Sequence, residues 1–195
     1  MSGAPTRRLF FALWPDGEQR AALLHAIAKI VRHCGGRPVP GTNLHVTLAF
    51  LGSVPERRLE ELSAIARRTA AIWPADAAPL AVSLAAPEHW AKAQVLAVLE
   101  REEESRGAQA SGVVGLSRVL TTEAAAAGFS PDLKPFRAHV TVARKVARAP
   151  RPIVMCRVLW SFDAFALVES RTLPEGPVYS VVQSYVLGSA EKVRA

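Results

Sequence analysis

Two short stretches carry the residue types that could do chemistry. The first is Leu44-His45-Val46-Thr47-Leu48-Ala49-Phe50-Leu51-Gly52, and the second is Ala138-His139-Val140-Thr141-Val142-Ala143-Arg144. Both read as strands. Cβ atoms alternate faces along a strand, so His45 and Thr47 share one face while Val46 and Leu48 point into a core. One His-Val-Thr would mean little, because Val and Thr are ordinary strand formers. Two copies drawn from five histidines are a signal, with chance odds on the order of 10⁻⁵ at ordinary residue usage.

Two imidazoles facing one cleft can serve as general acid and general base near neutral pH. Their environments decide which holds the proton. The threonine two residues on offers a hydroxyl on the same face, aimed by its strand. Two such hydroxyls and an arginine suit a phosphate, holding its non-bridging oxygens while a bridging oxygen leaves. There is no Gly-x-Ser-x-Gly elbow, no P-loop and no Cys–His pairing by motif. The chemistry these residues allow is attack by water, or by a ribose hydroxyl in the opposite direction. Taken singly, either histidine reads more readily as a strand residue satisfied by a backbone carbonyl; the repetition argues against that. Neither motif offers a third ligand at zinc spacing, so no metal and no cofactor is expected.

Charge points the same way. The chain carries a formal +7, and Lys134, Arg137, Arg144, Lys145, Arg148, Arg151 and Arg157 form a block without a single acid. Elsewhere 17 basic residues balance 17 acidic ones. The second motif sits inside this block, as a phosphate-attracting surface beside a site would require. The plainer reading is a solvated arginine-rich surface. With 195 residues, half of them hydrophobic, the chain can bury a substantial core, and residues 1–195 are expected to form one domain. No signal-peptide layout or membrane-length apolar run stands out. Cys34 and Cys156 supply no disulfide framework, which fits the cytoplasm.

The elements that must position the motifs follow from periodicity. Arg7 to Trp14 reads as a strand ended by Pro15. Asp16 and Gln19 form a capping box for a helix carrying Leu23, Leu24, Ile27, Ile30 and Val31, stopped by Gly35-Gly36. The loop Arg37 to Asn43 leads into the first motif. Ser53 and Glu56 predict a second capping box, opening a helix that runs to about Ala71. Strands are expected at Leu80–Leu84 and Gln94–Leu99, with His89 and Trp90 in the loop between them. The acidic run Glu100–Glu104 reads as a solvated helix start or loop. A third helix carries Leu116, Val119, Leu120 and Ala124–Ala127, closed by Gly128. The second motif strand spans Phe136 to Ala143. A strand at Trp160–Glu169, a turn at Leu173–Pro177 and a strand at Val178–Leu187 close the chain, with a loose tail from Ser189. The order predicts an α+β fold with antiparallel pairing, and a motif in each half suggests two similar lobes.

Beyond the motifs, several longer stretches resemble the two-histidine phosphoesterase superfamily, and in particular bacterial RNA 2′,3′-cyclic 3′-phosphodiesterases of the LigT-like group, once called 2′–5′ RNA ligases. They are Arg8 to Asp16, Asn43 to Gly52, Phe136 to Lys145, Trp160 with Phe165 to Ser170, and Tyr179. Ala138 stands where relatives usually have proline, and the region around Trp90 does not match clearly. The resemblance implies two pseudo-symmetric lobes of antiparallel sheet, helices packed outside, and an active-site cleft between them. It implies metal-independent hydrolysis of RNA 2′,3′-cyclic phosphate ends to 2′-phosphomonoesters. Carried onto matching positions, His45 would be the proton donor to the ribose 3′ oxygen and His139 the proton acceptor from water. Thr47 and Thr141 would bind phosphate oxygens, and Arg144 would reach the phosphate. The implied partner is RNA, with no membrane, no obligate protein partner and a monomeric state. Phe11 is assigned to the cleft as a base-stacking residue, with a core position as its alternative. His25 and His33 are expected to be solvated on the first helix, and His89 to stand in its loop without a partner. The competing functional reading is a non-catalytic RNA-binding module that uses the basic face around 134–157.

Overall fold

The longest apolar runs of the chain become the inner strands of two antiparallel sheets. The computed structural model describes residues 5–74, 76–101, 110–151, 154–174 and 176–189. In chain order the elements are β1 (Thr6–Leu13), α1 (Gly17–His33), β2 (Arg37–Pro38), β3 (Val46–Pro55), α2 (Leu59–Ala71), β4 (Leu80–Trp90) and β5 (Val95–Glu100). Then come α3 (Ala110–Ala126), β6 (His139–Arg144), β7 (Val158–Phe162), β8 (Ala164–Leu173) and β9 (Gly176–Val186). One sheet has the order β3-β1-β8-β9 and the other β2-β6-β5-β4-β7. This is the α+β architecture the order of elements predicts. Among the described residues no helix is long and apolar enough to cross a membrane.

The inner strands explain the near-continuous apolar runs. β1, β5 and β8 are covered on both faces, so their sequences lose the polar-apolar alternation of a half-exposed strand. On one face, Leu9, Phe11 and Leu13 of β1 join Leu23 and Ile27 of α1, Leu62 and Ile65 of α2, Leu116 and Leu120 of α3, and Val98 and Val140 of the second sheet in one continuous core. A fully buried side chain of this size contributes about 1.5–3 kcal/mol. On the other face lie two small apolar clusters: Phe10, Ala12, Ala166 and Val168 in one sheet, and Val95, Ala97 and Leu99 in the other. Those two faces carry the motifs.

The capping box of α1 forms as expected. Asp16 accepts from the Gln19 backbone N–H at 2.8 Å, and the Gln19 side chain accepts from the Asp16 N–H. Gln19 also donates to the Ser161 carbonyl at 2.7 Å while its own carbonyl accepts from the Trp160 indole, which pins the helix start to β7. Gly36 allows a close approach: a Cβ there would lie 2.6 Å from the Arg144 carbonyl oxygen. That proximity lets β2, absent from the sequence reading, add to the outer edge of β6. Gly112 of α3 has a similar reason, since a Cβ would sit 2.7 Å from Leu80 Cδ2.

Three expectations need correction. Ser53 caps no helix, because the β1–β3 ladder continues to Pro55 and pairs Ser53 with Arg8; a 3₁₀ turn at Glu56–Arg58 intervenes and Arg58 stands uncapped before α2. The strand from Leu80 does not stop at Leu84. It runs on to Trp90 as a hairpin with β5, so His89 and Trp90 belong to a strand. His89 also has a partner, with its Nε2 2.8 Å from the Val146 carbonyl. Finally, Trp160–Glu169 is two strands in two sheets, divided at Asp163. Val158, Trp160 and Phe162 are buried in alternation, whereas Phe165 to Val168 are all buried, so the phase breaks between Phe162 and Phe165. Residues 102–104 of the acidic run, and the tail beyond Ser189, lie outside the described residues.

Candidate active site

Both motifs end where chemistry would need them. β3 lies at the edge of its sheet beside β1, with Ala12 opposite Thr47. β6 lies beside β5, with Leu99 opposite His139 and Ala97 opposite Thr141. Val46 and Leu48, like Val140 and Val142, are buried in the core, so alternation turns His45, Thr47, His139 and Thr141 to the opposite face. All four line one cleft of about 640 Å³, together with Arg144 and Lys145 at the end of the second motif. Arg8, Phe10, Arg37, Asn43 and Tyr179 complete much of its wall.

Each imidazole is held in the same way. His45 Nδ1 lies 2.7 Å from the carbonyl of Asn43, and His139 Nδ1 lies 2.7 Å from the carbonyl of Arg137. A carbonyl can only accept, so Nδ1 carries the proton in both rings and Nε2 is left to face the cleft. His45 Nε2 is 3.1 Å from Thr47 Oγ1, so in the neutral ring the threonine hydroxyl donates to it. The repeated spacing thus has a mechanical meaning: the residue two before each histidine fixes its tautomer.

The surroundings of the rings differ. His45 is walled by Phe10 (ring centroids 4.9 Å apart), by Trp14 stacked at 5.6 Å and by Tyr179 edge-on at 5.1 Å. Arg20 lies over the Trp14 ring at 5.3 Å, and its buried Nε and Nη2 have no hydrogen-bond partner. Burial first, then the charges of His139, Arg144 and Arg20, pull the His45 pKa down to about 4, against the pull of the Asn43 carbonyl. His139 is also pushed below its ordinary value, by burial and the Arg137 charge. Its aromatic neighbour is Trp90, edge-on at 4.7 Å. Glu88 accepts from the Trp90 indole at 2.8 Å and from Arg137 at 3.0 Å. Burial and these charges thus keep His45 a neutral ring near pH 7.

Phe11 is misassigned. It is fully buried in the core, and the cleft residue is its neighbour Phe10. The strand's phase decides this: Leu9, Phe11 and Leu13 share the core face, while Arg8, Phe10, Ala12 and Trp14 share the other. Arg8 on that second face was the available signal. Trp14, Asn43 and Trp90 were also missed as neighbours of the histidines. His25 and His33 are exposed on α1, as expected. Among the described residues, no group of three or more His, Cys, Asp or Glu side chains is gathered as metal ligands would be.

Comparison with known proteins relates the chain to one family. The sequence profile of the LigT like Phosphoesterase family matches residues 13–78. An RNA 2′,3′-cyclic phosphodiesterase of Thermus thermophilus is 36% identical over 192 residues, 92% of this chain and 90% of that protein. The chain belongs to the LigT-like phosphoesterase family. An RNA 2′,3′-cyclic phosphodiesterase of Escherichia coli is 30% identical over 143 residues, 73% of this chain and 74% of that one. The crystal structure of Escherichia coli LigT complexed with 3′-AMP superposes with a TM-score of 0.80 at 27% identity, covering 95% of this chain and all of that one. The family match through residues 13–78 contains the first motif, and the longer alignments carry the likeness across both sheets.

Proposed function

We propose that this phosphoesterase hydrolyses the 2′,3′-cyclic phosphate at the end of an RNA chain to a 2′-phosphomonoester. The observation that carries this reading is the gathering of both histidines and both threonines in one cleft. In the proposed step, His139 takes a proton from water as its oxygen attacks phosphorus. The bond from phosphorus to the ribose 3′ oxygen breaks, and His45 gives that oxygen a proton. Thr47, Thr141 and Arg144 hold the non-bridging oxygens, which gain charge as the transition state forms. A 5′ hydroxyl replacing the water would instead leave a 2′–5′ linkage.

The donor role requires a proton on His45, which burial and the neighbouring positive charges disfavour. A phosphodiester anion beside the ring reverses that balance, because an opposite charge favours the imidazolium. Both histidines, their threonines and Arg144 supply every group the step uses, so the reaction proceeds without a metal. The chain is read as one unit of two similar lobes, on the ground that β1–α1–β3 and β5–α3–β6 are each a helix joining two antiparallel neighbours. Incubation with a 2′,3′-cyclic nucleotide in EDTA tests the reading. Turnover to the 2′-phosphate that survives the chelator is expected; an inactive protein that still binds RNA would replace the enzyme with a binding module.

A further inference from the structure

A second groove opens off the cleft. About 590 Å³ in volume, it shares Thr47, Phe50 and His139 with the cleft and runs between α3 and the segment Asp132–Arg137 that leads into β6. Such a volume is within the range of small-ligand sites. Trp90 and Phe136 give it aromatic surface, and Arg118, Lys134 and Arg137 face it against one carboxylate, Asp132. Lys134 pairs with Asp132 at 3.1 Å and Arg137 with Glu88 at 3.0 Å, in exposed pairs that are weak and readily rearranged. Arg118 forms no ion pair among the described residues.

The basic block therefore divides. Arg144 and Lys145 line the cleft, whereas Lys134 and Arg137 line the groove, and the two spaces meet at His139. A mononucleotide needs only the cleft. A chain whose last phosphate sits between the histidines must continue somewhere. Cations interleaved with aromatic faces are how proteins track a single strand, the cations on its phosphates and the rings under its bases.

We propose that this groove binds the upstream nucleotides of a single-stranded RNA whose cyclic-phosphate end occupies the cleft, with Arg118, Lys134 and Arg137 on its phosphodiesters. This rests on the function proposed above. The substrate class then narrows from any 2′,3′-cyclic nucleotide to the ends of single strands at least two or three nucleotides long.

The test compares a 2′,3′-cyclic mononucleotide with a single-stranded trinucleotide bearing the same end. Wild-type kcat/KM should favour the trinucleotide by about tenfold or more, mainly through KM, and the preference should shrink as salt rises. The double variant Arg118→Glu, Lys134→Glu should lose that preference and keep the mononucleotide rate. Equal rates on the two substrates in the wild type, or an equal loss on both in the variant, would overturn the groove. Anisotropy of a fluorescein-labelled trinucleotide with a 3′-phosphate reads the same site without turnover. If the protein hydrolyses nothing, yet binds this probe and loses it in the double variant, the cyclic phosphodiesterase reading fails while the groove stands. Unchanged binding in the variant removes the groove alone.

Discussion

The two histidines occupy equivalent places in their motifs and unequal places in the protein. His45 is enclosed by Phe10, Trp14 and Tyr179, with a half-buried Arg20 over the tryptophan. His139 has Trp90 on one side and an exposed Arg137 two residues away, and it borders both the cleft and the groove. A repeated motif fixes ring position and tautomer, because both rings give Nδ1–H to the carbonyl two residues back. The walls around each ring fix its basicity. The proposed division of labour between acid and base would therefore come from residues outside the motif.

The largest expected effect is loss of either ring. His45→Ala and His139→Ala should each lower turnover of a cyclic nucleotide by about 10²-fold or more. The comparison sharpens with the leaving group. A phosphodiester that releases p-nitrophenolate needs no proton on the departing oxygen, so the variant lacking the acid should recover most of its loss. The variant lacking the base should not. Recovery in His45→Ala alone supports the proposed roles, recovery in His139→Ala alone exchanges them, and recovery in neither removes the division altogether.

The next effect is in titration. NMR of the imidazole rings should show His45 neutral down to about pH 4 in the free protein, and His139 titrating below its ordinary value because of burial and the Arg137 charge. At pH 7 only about 10⁻³ of His45 would be protonated with such a value. Inorganic phosphate or a 2′-nucleotide should raise the His45 midpoint, and anion affinity should rise as pH falls through it. The sign for folding is the reverse. The unfolded chain takes up this proton near pH 6.5 and the folded chain resists it, so stability should fall as pH drops from 6.5 toward 4. Identical midpoints for the two rings would abolish the asymmetry.

The same contrast explains what could be read from sequence. His45, Thr47, His139 and Thr141 were legible because strand period is local: alternation alone placed them opposite Val46, Leu48, Val140 and Val142. The cap of α1 was legible because Asp16 and Gln19 are three residues apart. Trp90 was misread because its strand depends on pairing with β5, and Pro87 sits within it. Pro87 is tolerated there because β7 pairs with β4 only from Leu80 to Leu84. Phe10 was passed over for Phe11 because both faces of β1 are apolar; only Arg8 marked the phase. The partition of Trp160–Glu169 between two sheets is a tertiary fact, hinted at only by the odd spacing from Phe162 to Phe165.

The smallest effect lies one step behind the rings, where the two sites are held by different means. Asn43 is buried and donates from Nδ2 to the Pro177 carbonyl at 2.8 Å, tying the β8–β9 hairpin to the carbonyl that fixes His45. Arg137 is exposed, and its tie to Glu88 is a surface ion pair. Removing the first leaves a carbonyl without its partner and costs about 1–2 kcal/mol, whereas removing the second costs under about 1 kcal/mol. Asn43→Ala should therefore lower the melting temperature by a few degrees and slow kcat by about tenfold, as the ring's hold loosens. Glu88→Gln keeps an oxygen for the Trp90 indole and should change kcat by about twofold at most. A Glu88→Gln variant as damaged as Asn43→Ala would mean that the support with an exposed Arg137 is as tightly built as the one with a buried Asn43, and the contrast between the two rings would then need another cause.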